Sequence, residues 1–116
     1  MGQGTVQERT LDFAVDVLDF TDDLDGRGRR IIAEQLLRAG TSIGANVREA
    51  QNAESPRDFL HKMKVAAKEA EETEYWLLLC RRSARLPEPG RLLDDLLHIK
   101  RLLSRIIASM KRRIKS

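Results

Sequence analysis

Two carboxylates one helical turn apart, Glu69 and Glu72, are the side chains in this sequence best spaced to do chemistry. Residues three apart share a helix face, and paired carboxylates there can hold Mg²⁺ for nucleotide hydrolysis, because a hard cation takes oxygen ligands. The reaction also needs acids on a facing helix, and downstream only Asp94 and Asp95 are available. Asp58 with His61, and Asp95 with His98, approach but do not match the pattern of di-iron bundles, which need Glu-x-x-His on two helices and a Glu on each of the others. His61 also points away from the apolar line of Phe59 and Met63, as a solvated histidine would. The stretch GTSIGANV, Gly40 to Val47, has the glycines of a phosphate loop, yet no Lys-Ser/Thr follows the second glycine and no strand precedes the first. No catalytic residue, metal ligand or cofactor site is therefore assigned, and the expectation is a protein that is not an enzyme.

The remaining charges point to binding. Arg101, Arg105 and Arg112 recur on one outward stripe near the C-terminus, backed by Lys111, Arg113 and Lys115. They are candidates for contacts with the phosphates of RNA or DNA. Cations at the end of a helix also offset its dipole, so a merely solvated face is the competing reading. The net charge of +3 hides a strong asymmetry: acids crowd the start (Glu8, Asp12, Asp16, Asp19, Asp22, Asp23, Asp25), whereas seven Lys or Arg and no acid occur from Lys100 onward. Such a division also fits acidic and basic helices lying side by side.

These side chains must be positioned by helices. With 116 residues the chain is expected to form a single domain over 1–116, and few aromatics (4%) with many charges (34%) is the balance of a helical protein. Apolar residues recurring every three to four positions define four segments. The first, about Gln7 to Leu24, is apolar on two faces: Leu11, Val15 and Leu18 on one, Phe13, Val17, Phe20 and Leu24 on the other. The second, about Gly28 to Asn52, aligns Ile32, Leu36, Ala39, Ile43, Val47 and Ala50. Ser55, Pro56 and Asp58 read as the cap and first turn of the third. It continues to about Arg85, where LPEPG stops it, and the fourth spans about Gly90 to Ile114. Short connections force antiparallel neighbours, so the predicted fold is an all-α, antiparallel up-down-up-down four-helix bundle.

Within that frame Gly40 and Gly44 act as packing devices. The apolar stripe of the second helix keeps its register through them, and they let another helix approach closely. Beside the core run two polar stripes: Arg38, Ser42, Asn46 and Glu49 on the second helix, Glu69 and Glu72 on the third. Pairing of Arg38 or Asn46 with Glu69 or Glu72 would set the register of the two helices; a small ligand is the alternative. The extra apolar residues, Phe13, Val17 and Phe20 on the first helix and Tyr75, Trp76 and Leu79 on the third, predict a homo-oligomer interface, since a monomer needs one apolar stripe per helix. A protein partner could cover the same surface. The lone Cys80 fits a reducing cytoplasm, the acidic start is no signal peptide, and the longest apolar run, Tyr75 to Cys80, is too short to cross a membrane.

Two stretches, QLLRAGTSIGANVREA and DFLHKMKVAAKEAEETEYWLLL, resemble a family of four-helix-bundle proteins encoded in intervening sequences of bacterial large-subunit ribosomal RNA genes. The family's recurrent Arg, Ser, Asn and Glu fall on Arg38, Ser42, Asn46 and Glu49. Its KEA-ET-YWL pattern falls on Lys68, Glu69, Glu72, Thr73, Tyr75, Trp76 and Leu77. The chain departs from the common pattern at Val47-Arg48, where many members have Ile-Ala, and at Ala50, where many have Gly. The resemblance implies a non-enzymatic bundle assembled as a ring-like homopentamer. It extends to accessory proteins of diversity-generating retroelements, which bind a reverse transcriptase and carry basic nucleic-acid surfaces, although this chain is much less basic than they are.

Overall fold

A computed structural model describes residues 4–115. It contains four helices, α1 (Val6–Gly26), α2 (Arg30–Ala50), α3 (Pro56–Arg82) and α4 (Leu92–Lys115). Each packs on its neighbour in sequence and α4 returns to α1, which closes an antiparallel up-down-up-down bundle 51 Å long and 24 by 22 Å across. Local chemistry sets the helix starts. Thr5 and Glu8 form a reciprocal capping box at α1, with the Glu8 amide donating to Thr5 Oγ1 and the Thr5 amide to Glu8 Oε1. Ser55 caps α3 by accepting from the Asp58 amide at 3.0 Å, and Pro56 follows where its missing N–H does no harm. Gly28 and Gly90 take positive φ, 81° and 61°, which delays α2 and α4 to Arg30 and Leu92, two residues later than the periodicity predicts. Chain direction changes at Ser83, whose extended backbone ends α3 three residues short of Arg85.

The core is built from one face of each helix. Leu24, Leu36, Ile43, Met63, Leu77, Leu96 and Leu103 are fully buried at its centre. Three threonines share this interior without strain on the polar balance: Thr10, Thr21 and Thr73 donate their hydroxyls to the carbonyls of Val6, Val17 and Glu69 at 2.7–2.9 Å. Among the described residues every buried side-chain nitrogen or oxygen has a partner. Cys80 is buried in the same core, and its thiol is pushed up to about 11 by burial and, less, by Glu88, so it is protonated and chemically quiet.

The α1–α2 seam explains the glycines. A Cβ on Gly40 would lie 2.9 and 3.0 Å from the two methyls of Val17, and one on Gly44 would lie 3.2 Å from the Thr10 carbonyl oxygen. The close approach decides which apolar face of α1 turns inward, and it corrects part of the predicted interface. Phe13 and Val17, expected at an oligomer surface, are buried at 2% and 0% exposure, and Phe20 packs against the core. The face left outside carries Leu11, Val15 and Leu18. On α4 burial ends at Leu103; Ile106, Met110 and Ile114, which follow it at helical spacing, are only half buried. No helix among the described residues is long and apolar enough to cross a membrane.

Candidate functional site

The α2–α3 seam holds the most connected polar cluster. Arg38, one turn before Ser42 on α2, reaches across to both acids predicted as its partners: Nη1 donates to Glu69 Oε1 at 3.4 Å and Nη2 donates to Glu72 Oε2. The indole Nε1 of Trp76, one turn beyond Glu72, donates to the same carboxylate oxygen at 3.1 Å. Glu72 is therefore held below the ordinary carboxylate range, first by the Arg38 hydrogen bond and then by Trp76. Asn46 stays on its own helix, donating to the Ser42 carbonyl at 2.8 Å, and Ser42 donates to the Arg38 carbonyl at 2.7 Å. Glu49 accepts from Lys62 Nζ at 3.2 Å, a second tie between α2 and α3.

Chemically, the cluster is a clasp. The two carboxylates that could have held a cation face a guanidinium and an indole, and among the described residues no three His, Cys, Asp or Glu side chains converge as a metal would require. His61 and His98 are exposed. Because the folded-state pKa of Glu72 is depressed, its contribution to stability is complete above the ordinary carboxylate pKa and disappears as pH falls through the depressed value. Glu72→Gln is thus expected to lower the melting temperature modestly at pH 7, with the gap from the parent closing as the pH falls below the ordinary carboxylate range. A gap that stays constant over that range in thermal melts would show that the carboxylate's charge is not what stabilises the seam.

Across the opposite seam Lys100 on α4 donates to Glu74 at 2.6 Å and pairs with Glu71 at 2.9 Å on α3. Burial acts against its charged form, but the two carboxylates outweigh it and raise its pKa. The sequence reading missed this triplet, although Glu71 and Glu74 have the same one-turn spacing as Glu69 and Glu72. Between α1 and α4, which pack less closely than the other neighbours, a groove of about 730 Å³ opens. Glu8, Asp12, Asp16 and Asp95 line it together with Arg9, Arg91 and His98. Asp16 is raised there by partial burial and by Asp95.

The outer surface is divided by charge and polarity. Arg101, Arg105, Lys111, Arg112, Arg113 and Lys115 are all exposed along the second half of α4. Large apolar side chains are exposed as well: Leu11, Val15 and Leu18 on α1, Ile31 at 79% on α2, Tyr75, Leu78 and Leu79 on α3, and Leu97 on α4. Tyr75 meets the Trp76 ring edge-on, with centroids 5.2 Å apart. Ile31 and the α1 strip were absent from the predicted interface. The strip is left outside because Thr10 and Val17, on the other side of α1, face the glycine pair of α2.

Residues 3–105 match the family described as 23S rRNA-intervening sequence protein. Among solved structures, the chain is similar to a protein of unknown function from the S23 ribosomal protein family of Bacteroides thetaiotaomicron, with 40% identity and a TM-score of 0.84. The alignment covers 89% of this chain and 98% of that one. No curated protein matches the chain.

Proposed function

The chain belongs to the 23S rRNA-intervening sequence protein family, and we propose that it is a non-enzymatic assembly protein of the cytoplasm that self-associates into a pentameric ring. The observation that carries this reading is the set of large apolar side chains left exposed on every helix of an otherwise well-satisfied bundle, from Leu79 at 37% to Ile31 at 79%. Surfaces of this kind mark protein contacts more often than free solvent. The engagement of Glu69 and Glu72 by Arg38 supports a structural use of the polar stripes over a hydrolytic one.

Tyr75 separates assembly from surface charge, because it is 57% exposed and so adds little to the monomer's own core. Tyr75→Ser is expected to shift sedimentation toward the monomer at a concentration where Arg105→Glu leaves it unchanged. Equal behaviour of the two variants would remove the apolar surface as the basis of assembly. A second role, association with RNA or DNA, is favoured by the exposed cations of α4 from Arg101 to Lys115. A protein partner without nucleic-acid affinity is the alternative for an assembled ring.

A further inference from the structure

The apolar surfaces of this bundle differ in the charges that border them. Leu11, Val15 and Leu18 form a strip along the outside of α1, and the exposed side chains interleaved with it and flanking it are acids, Asp12, Asp19 and Asp22 among them. The second surface lies where α2 begins and α3 ends. Arg38 meets Glu72 across antiparallel helices, so a step of seven residues back along α2 and seven forward along α3 brings Ile31 level with Leu79. Tyr75 stands one turn from Leu79 on the same helix. Of the exposed charged residues near this patch, Glu34 and Glu71 are engaged by Arg30 and Lys100, which leaves the cationic Arg29, two positions before Ile31, and Arg82, three beyond Leu79. Asp12, Asp19, Asp22, Arg29 and Arg82 form no ion pair among the described residues.

A stable interface combines an apolar centre with a polar rim of complementary charge. Pairing the α1 strip with itself would bring two rows of aspartates together, and pairing the arginine-bordered patch with itself would oppose cations. Only the cross pairing satisfies both rims. We propose that the α1 strip of one copy docks on the Ile31–Tyr75–Leu79 patch of a second copy, with Asp12, Asp19 and Asp22 facing Arg29 and Arg82. The proposal rests on the reading that the chain self-associates and adds which surfaces meet. Since the two surfaces differ, the contact is heterologous: each copy added leaves a free strip at one end and a free patch at the other, and growth stops only when a ring closes.

Mixing two defective variants tests this directly. Leu11→Ser/Val15→Ser/Leu18→Ser removes the strip, and Ile31→Ser/Tyr75→Ser/Leu79→Ser removes the patch; all six side chains are exposed, so helicity by circular dichroism should be retained. Each variant alone is expected to run as a monomer of 13.2 kDa, and an equimolar mixture as a species of twice that mass and no larger, because one intact strip meets one intact patch. If the parent assembles but the mixture stays monomeric, the pairing is wrong. Dimers of either variant alone would equally overturn it, by revealing a surface that pairs with itself. A monomeric parent would instead remove the self-association reading beneath it. Should the serine variants lose helicity, charge reversal keeps the question decisive: Asp19→Arg/Asp22→Arg is expected to dissociate the parent, and adding Arg29→Asp/Arg82→Asp to the same chain to restore it. Failure to restore overturns the pairing.

Discussion

Gly40→Ala is expected to destabilise the parent protein by about 1 kcal/mol and to stabilise a Val17→Ala background by a similar amount. Two opposing effects set these signs. Alanine gains roughly 1 kcal/mol over glycine inside a helix through reduced backbone entropy. In the parent, its Cβ would stand 2.9 Å from a Val17 methyl, and Val17 is fully buried with a stiff β-branched side chain that strongly prefers one rotamer in a helix. Overpacking of this kind costs about 1–3 kcal/mol and outweighs the entropy gain. Once Val17 is truncated, the offending methyls are gone and the new Cβ fills part of the space they leave, so entropy and packing act together. Chemical denaturation of the parent, both single variants and the double variant at one protein concentration closes the cycle. Additive effects would show that Gly40 is not held small by Val17.

That seam also shows where the sequence was legible and where it was not. Helix number and order followed from Ser55-Pro56, from LPEPG and from unbroken apolar registers, all of which are local signals. The use of Gly40 and Gly44 for close approach was legible too, because Ile32 to Ala50 keeps one stripe across them. Which face of α1 turns inward was not, since Leu11/Val15/Leu18 and Phe13/Val17/Phe20/Leu24 both keep an apolar helical register and periodicity alone does not rank them. The ranking comes from a tertiary fit: Thr10 and Val17 meet the two glycines. Similarly, stripe membership placed Arg38 and Asn46 as equal partners for Glu69 and Glu72. Reach separates them, because Asn46 lies about 12 Å further along α2 and its short amide is taken by the Ser42 carbonyl. Charged side chains on the surface of α4 carry no such packing signal, and their use depends on what approaches them.

For that surface the expected result is a steep response to salt. If Arg101, Arg105 and Arg112 each neutralise one phosphate, counterion release predicts that affinity for single-stranded RNA falls about 20-fold between about 50 and 200 mM salt, and about 40-fold for duplex DNA. Changing the three arginines to glutamate should abolish the complex at low salt, because phosphate attraction is replaced by repulsion at all three positions. Mobility shifts over an ionic-strength series, with the parent and the triple variant side by side, measure both effects. Absence of binding at low salt, or a triple variant that binds as well as the parent, rules out the nucleic-acid role and directs the search to a protein partner.

Both the ring and its two mating surfaces depend on the chain not existing as a monomer. Multi-angle light scattering of the parent protein at micromolar concentration tests this most directly. Self-association predicts a mass several times the 13.2 kDa of one chain, and a pentamer five times that mass. A stable species of 13.2 kDa would contradict it, and would mean that Leu11, Val15, Leu18, Ile31 and Tyr75 face solvent in the working protein.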